Sequence, residues 1–280
     1  GITTTDRTGS LGYNNGSGDY TNANYTAGFG GTSSASPLAA GVIALAKEVN
    51  PNMDVRLAKH LLVRTSTIVD AGDVTATSDG GWRTNAAGFR FNQNYGFGLI
   101  NADALTAAAG QFFVTPLVTN NSGTQTVNAA IPDNNATGVT RTVTNNIAGF
   151  MEEVEVTVSI THQARGNIEI YITSPSGYVS RLNRFFTSTT DNVNWTFLSN
   201  AFWGEQAQGV WSVNVRDVTA SNTGTWNSFS VNWRMGTIVA VPEPTTMAFM
   251  GLGLSGAALA WWRRRGSRRD ATVLTEIAGE

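Results

Sequence analysis

The sequence predicts a mixed fold with a helix-containing first part, an all-β sandwich and a C-terminal apolar helix. Three observations lead to this prediction. An uncharged run of small and apolar residues follows Gly31, at residues 35–46. From about Val139 onward, apolar residues recur at every second position, which is typical of half-buried strands. A second uncharged apolar run covers residues 245–262 and is followed at once by arginines.

Composition excludes several classes of protein. The chain has 280 residues, enough for more than one domain at about 150 residues each. It has no cysteine, which excludes a disulfide framework and a thiolate metal site. The net charge is −2, and five of the 18 basic residues crowd into Arg263–Arg269. Because the rest of the chain is mildly acidic, we expect no nucleic-acid partner.

Ser33 is the candidate catalytic residue of the first part, at the start of a predicted helix. The helix is apolar all round, so we expect it to be buried. Pro37 fits in its first turn, where a missing N–H has no partner to lose. Free N–H groups and the helix dipole favour a developing anion there. A helix N-cap would explain Ser33, but not the small residues from Gly31 to Gly41.

Every fixed position of the nucleophile motif of the subtilisin-like serine proteases, Gly-Thr-Ser-x-Ala-x-Pro-x-x-Ala-Gly, is present from Gly31 to Gly41. The chain resembles that family here. The resemblance implies that Ser33 is the acyl-forming nucleophile and that its own backbone N–H is part of the oxyanion hole. The oxyanion asparagine of the family lies well upstream of the nucleophile, so neither Asn22 nor Asn24 is assigned to that role.

The rest of the first part is predicted to be a series of short elements. We expect a strand at Ile2–Asp6, a helix at Met53–Arg64, irregular structure at 67–94 and a last helix at Ala102–Ala109. Residues 95–105 read Tyr-Gly-Phe-Gly-Leu-Ile-Asn-Ala-Asp-Ala-Leu and resemble the end of a kexin-type catalytic domain. Residues 1–110 are therefore predicted to be the C-terminal part of an α/β subtilisin-like catalytic domain.

Alternating strands predict that the middle of the chain is a β-sandwich or jelly roll. The alternating apolar positions are Val154, Val156, Val158 and Ile160, then Ile168, Ile170 and Ile172, then Trp211, Val213 and Val215, then Phe229, Val231 and Trp233. Five phrases resemble the P (homo B) domain that follows kexin-like catalytic domains. They are His162-x-x-Arg165-Gly166-Asn167-Ile168, Ser174–Gly177, Phe202–Glu205, Gly209–Trp211 and Asn222–Ser228. We expect this domain at residues 111–237.

The tail, residues 238–280, is predicted to be a sorting unit. Pro242-Glu243-Pro244 precedes the apolar run 245–262, which is just long enough to span a bilayer as a helix. The arginines that follow place the C-terminus on the cytoplasmic side. The arrangement resembles the PEP-CTERM sorting signal of Gram-negative bacteria. This implies export, recognition by an exosortase and removal of the helix, so that the protein reaches the cell surface or the medium; a retained helix would leave it membrane-anchored.

Partners for Ser33 are missing from the sequence. A serine nucleophile needs a base and a group that orients the base, and subtilisin-like enzymes supply them in the chain order Asp, His, Ser. The two histidines, His60 and His162, both follow Ser33. We expect His60 to be a surface or boundary residue and His162 to make a structural hydrogen bond. Asp6 and Asp19 precede Ser33 but lie in polar loops and do not fit the catalytic aspartate.

We therefore expect the C-terminal part of a longer serine endopeptidase that acts on proteins or peptides. Gly1 is not an initiator methionine and no signal peptide precedes it. Alone, the chain is expected to be inactive, because an unactivated serine is a weak nucleophile. The alternative is a non-enzymatic surface protein whose β-sandwich serves adhesion or scaffolding.

Calcium is a further implication of the resemblance to kexin-like enzymes, though mostly through regions outside this sequence. Oxygen-rich pairs that suit calcium occur at Asp133-Asn134 and at Asp191-Asn192. Such pairs are also common turn residues. No metal ligand is assigned.

Overall fold

The computed structural model describes residues 1–15 and 20–242. The chain divides into two compact units, Gly1–Val239 and Ala240–Glu280. Pro242 is described, whereas Glu243, Pro244 and the predicted apolar helix at 245–262 lie outside the described residues. Within the described ranges, no helix is both long and apolar enough to cross a membrane.

The first part consists of short strands and three helices. Their bounds are β1 Ile2–Thr5, β2 Tyr25–Phe29, α1 Thr32–Val49, α2 Val55–Thr65, β3 Arg83–Thr84, β4 Arg90–Phe91 and α3 Ala102–Ala108. The predicted strand at Ile2–Asp6 and both later helices are confirmed. Helix α2 begins two residues later than predicted because Asp54 caps it, its carboxylate accepting the N–H of Leu57 at 2.7 Å.

Helix α1 is less buried than the sequence predicted. The prediction that all its faces are covered is wrong for the described residues, since only Ser34 and Ala46 are buried. Leu38 is 55% and Leu45 58% exposed. Apolar composition buries a helix only where other elements pack on it, and α1 packs mainly on α3. The strands that precede it form the antiparallel hairpin β1–β2, which does not cover its other faces.

The β-sandwich predicted for the middle of the chain is confirmed. Strands β5 Phe112–Val114 and β15 Ile238–Ala240 pair with each other in a separate two-stranded sheet. The strands of the sandwich are β6 Val118–Asn121, β7 Gln125–Ile131, β8 Asn135–Asn145, β9 Met151–His162, β10 Ile168–Thr173, β11 Val179–Asn183, β12 Val193–Ser199, β13 Gly209–Asp217 and β14 Gly224–Met235. One sheet has the order β11-β10-β13-β8 and the other the order β12-β9-β14-β6, with β7 also paired to β14.

The core of the sandwich lies between these two sheets. All thirteen alternating positions singled out in the sequence are buried in it. Trp211 and Trp233 are fully buried and their ring centroids lie 6.3 Å apart. A smaller core joins α1, α2 and α3 around Leu61 and Leu105. The apolar alternation in the sequence therefore predicted correctly which face of β9, β10, β13 and β14 is covered.

Candidate functional site

Ser33 lies in the first turn of α1, directly after the hairpin β1–β2. Gly31 caps the helix at φ 72° and ψ −168°, in a region that side chains other than glycine rarely adopt. The hydroxyl of Ser34 points back to the carbonyl oxygen of Gly31 at 2.9 Å. Ser33 is exposed. Among the described residues, neither its hydroxyl nor its backbone N–H has a hydrogen-bond partner.

Neither histidine hydrogen-bonds to Ser33. His162 ends strand β9, and its Nε2 lies 3.0 Å from the buried carboxylate of Asp217. Its Nδ1 contacts the backbone of Ala164. The expectation of a structural hydrogen bond is confirmed. His60 was expected at the surface or at a boundary. The surface position is wrong, because the residue is only 2% exposed.

The polar residues that precede Ser33 have structural roles. Asp6 accepts the backbone N–H groups of Asn14 and Arg7, each at 2.8 Å. These bonds, the one from Asn14 foremost, lower its pKa. Asn24 caps the N–H of Gly9 at 3.1 Å, and Asn22 accepts the N–H of Asn24. Asp19 lies outside the described residues.

The oxygen-rich pairs considered for calcium behave as turn residues. Asn134 and Asn192 have φ values of 48° and 61°. Asp133 accepts the N–H of Ser221 at 3.2 Å, and Asn192 accepts the N–H of His162 at 3.0 Å. Within residues 1–15 and 20–242, no three carboxylate or imidazole groups come together as a cation site would require. Asp133 and Asn192 are thus engaged in turn hydrogen bonds, and Asn134 and Asn192 hold left-handed turn positions.

A buried polar network instead joins α2 to the sandwich through His60. The indole N–H of Trp203 donates to Nδ1 of His60 at 3.0 Å. Since an indole only donates, Nδ1 is unprotonated, and His60 donates its Nε2 hydrogen to Glu152 at 2.9 Å. Arg56 makes a bidentate salt bridge with the same carboxylate. Its Nε lies 3.0 Å from Oε2, and its Nη2 contacts Oε1. His60 thus anchors the helices to the sandwich.

Two further contacts extend this anchor. Lys59 pairs with Glu153, which also lies 3.4 Å from Arg234. Asn85 donates to the carbonyl oxygens of Ala201 and Trp203, both at 3.0 Å. The sequence did not predict this network. The available signal was the spacing of Arg56, Lys59 and His60, which places three basic or polar side chains on one face of a helix.

The lowered pKa of Glu152 predicts that the folded chain loses stability at acid pH. Burial raises this pKa, but the hydrogen bonds from His60 and Arg56 outweigh burial and lower it from 4.5 to about 2. A depressed folded-state pKa contributes stability that is complete above pH 4.5 and is lost as the pH falls toward about 2. We expect the melting temperature to fall across this window. Glu152→Gln should flatten that part of the profile, and an unchanged slope would contradict the assignment.

Comparison with known proteins accounts for each part of the chain. Residues 4–98 match the family model for the subtilase family, residues 151–233 that for the proprotein convertase P-domain, and residues 240–265 that for the PEP-CTERM protein-sorting motif. The first match contains Ser33 and the second contains Glu152 and Trp203. Residues 4–98 are thus a subtilase-family region and residues 151–233 a proprotein convertase P-domain.

The relatives similar to this chain include proprotein convertases and a bacterial serine protease. Proprotein convertase subtilisin/kexin type 5 of Rattus norvegicus is 38% identical over 197 residues, which cover 67% of this chain and 11% of the relative. The human type 7 protein is 38% identical over 204 residues, 69% of this chain and 25% of the relative. The serine protease of Aeromonas sobria is 29% identical, with a TM-score of 0.73 over 83% of this chain.

The chain spans only part of these proteins. It covers 50% of the Aeromonas sobria chain and between 10% and 26% of the first curated relatives. The family of the two regions is therefore established, whereas the activity, substrates and partners of a whole protease are a matter for proposal.

Proposed function

We propose that this chain is part of a secreted serine endopeptidase in which Ser33 attacks the substrate carbonyl and forms the acyl-enzyme. The position of Ser33 supports this: an exposed hydroxyl in the first turn of α1, without a hydrogen-bond partner among the described residues. The backbone N–H of Ser33 would then contribute to the oxyanion hole, because helix N-termini hold free donors and a positive dipole end.

The base and its orienting carboxylate would come from a segment that precedes Gly1 in a longer protein. Both histidines of this chain are occupied, His60 by Trp203 and Glu152 and His162 by Asp217. Neither is free to accept the Ser33 proton. We therefore expect the chain alone to hydrolyse no peptide bond, since a serine without a base is a weak nucleophile.

The sandwich would serve as a stabilising partner of the catalytic part. The contacts of Arg56, His60 and Lys59 with Glu152 and Glu153 support this role. Helix α1, which carries Ser33, packs in one small core with α2. The position of α1 would therefore depend on the contacts that hold α2 on the sandwich. The P domain would in this way hold the nucleophile helix in place.

Fluorophosphonate labelling tests the catalytic assignment. In the longer protein that includes the preceding segment, we expect stoichiometric labelling of Ser33 and none in Ser33→Ala. Ser36→Ala is the matched control, because Ser36 is an exposed serine on the same helix, at a variable position of the motif. Labelling that survives in Ser33→Ala would overturn the proposal. Absence of labelling in a stable longer protein would favour the alternative, a surface protein that uses the sandwich for adhesion.

We also propose export and sorting through the tail. The match of residues 240–265 to the PEP-CTERM motif supports recognition of Pro242-Glu243-Pro244 by an exosortase. The apolar run 245–262 would span the bacterial membrane until processing, leaving the folded unit outside. Substitution of Glu243 by alanine should then leave the protein in the membrane fraction, whereas the parent protein appears at the surface or in the medium.

A further inference from the structure

Strand β12 is an unusually open edge of the five-stranded sheet. It pairs with β9 over all seven residues, Val193 to Ser199, without a register shift. In the described part of the chain, no strand pairs with its other side. Its sequence, Val-Asn-Trp-Thr-Phe-Leu-Ser, contains no charge, proline or glycine. Such an edge offers unpaired backbone N–H and C=O groups to another strand.

The other edge strands of the sandwich carry the features that usually prevent pairing. Strand β11 bears the charge of Arg181, and its register shifts at the pairing with Ile170. Strand β8 bears Arg141, and Gly138 within it has a φ of +64°. Strand β7 contains Asn128 at φ 46° and pairs with β14 through a bulge. Strand β6, at the opposite edge of the same sheet, is uncharged and regular but only four residues long. Among the edges of the described sandwich, β12 is the one that is regular, uncharged and longer than four residues.

Apolar side chains flank this open edge. Trp195 is 64% and Leu198 51% exposed. On one face, Trp195 borders a cleft of about 340 Å³ with Phe186 and Phe197. Large apolar side chains at an accessible edge indicate a surface that is covered in an assembly.

We propose that β12 pairs antiparallel with β12 of a second copy of this chain, centred on Thr196. The strand is self-complementary in that register. Thr196 lies opposite its own counterpart, and Trp195 lies opposite Phe197 of the second copy, a favourable aromatic cross-strand pair. The uncharged strand meets an equally uncharged strand, so no like charges oppose each other. The result is one continuous sheet with a two-fold axis.

The single charged side chain that lines the cleft does not oppose this arrangement. Arg165 lines the same cleft as Val193. Antiparallel pairing places Val193 opposite Ser199, so the two Val193 ends are six residues apart, about 20 Å at 3.3 Å per residue. That separation exceeds the screening length of about 8 Å at physiological salt. Repulsion between the two arginines is therefore weak.

Cysteine crosslinking tests the pairing directly, because the chain contains no cysteine. We would introduce Thr196→Cys into the full 280-residue chain in mild detergent and oxidise it gently. Opposed residues on paired strands have Cβ atoms about 5 Å apart, close to what a disulfide needs. We expect most of the protein to become a covalent dimer. The control Thr144→Cys, on the exposed edge strand β8, should stay monomeric.

A charge exchange provides the second test. Thr196→Lys and Thr196→Glu each place like charges opposite each other and should weaken self-association at least about tenfold in sedimentation velocity. A mixture of the two variants should restore the dimer. Equal crosslinking at positions 144 and 196, a monomer at all concentrations, or a mixture that stays dissociated would each overturn the proposal.

Discussion

Glu152→Ala is expected to lower the free energy of unfolding by about 2–4 kcal/mol, because it leaves the half-buried guanidinium of Arg56 and the buried imidazole of His60 without their acceptor. Glu152 is 4% exposed and accepts hydrogen bonds from Arg56 and His60. Its removal would also weaken the attachment of α2 to the sandwich, where the contacts of Lys59 with Glu153 and of His60 with Trp203 would remain. Urea unfolding of the chain at pH 7 measures the effect, with the slope of the transition as a check that cooperativity is retained.

A matched control on the same strand separates the network from a general loss of charge. Glu155 is half-buried and accepts one hydrogen bond, from Asn232 at 2.8 Å. Glu155→Ala should cost about 1 kcal/mol or less. Because Arg56 and Glu152 interact directly, Arg56→Ala combined with Glu152→Ala should cost less than the sum of the two. A loss under about 1 kcal/mol for Glu152→Ala, or strict additivity, would contradict the network.

Trp211→Ala should destabilise the sandwich by about 3–5 kcal/mol through loss of transfer free energy and the cavity left behind. Trp211 is fully buried in β13, packed edge-on against Phe202 at 5.1 Å between ring centroids. Its indole N–H also donates to the carbonyl oxygen of Ala207 at 2.8 Å. Thermal unfolding followed by near-UV circular dichroism measures the loss of this packing.

The neighbouring residue provides the comparison for this substitution. Val210 precedes Trp211 on β13, points to the opposite face and is 55% exposed. Val210→Ala should change stability by about 0.5 kcal/mol or less. If both variants lost similar stability, the assignment of Trp211 to the centre of the core would be wrong.

The sequence predicted the central strands well and the peripheral strands poorly. Strands β9, β10, β13 and β14 have one face in the core, so their apolar residues alternate with polar ones. Strand β6 has the sequence Val-Thr-Asn-Asn, which contains one apolar residue and therefore shows no alternation. Strand β12 exposes apolar residues because it lies at an edge. Apolar residues alternate along a strand because one of its faces is buried. A strand with little buried surface therefore shows little alternation in its sequence.

The candidate site shows the same division. The start of helix α1 beside Ser33 follows from a local signal, Gly31 before the helix. The expectation that Pro37 lies in the first turn is wrong, because the helix begins at Thr32 and Pro37 is its sixth residue. The sequence wrongly predicted that α1 is buried. Apolar composition shows that a helix can be buried, but it does not show whether other elements are present to cover it. His60 is the opposite case. Nothing in its neighbourhood in sequence indicates that Trp203, 143 residues away, donates to its ring.

The amino-acid sequence alone thus determined the nucleophile motif, the resemblance to a protease family, the sandwich and the sorting tail, because each depends on residues close together in the chain or on a short repeat. Only the tertiary structure decided the partners of both histidines, the exposed faces of α1 and the open edge of β12. These depend on residues brought together from distant segments. Local propensity and periodicity carry no information about such pairs, because they form only when the helices and sheets dock.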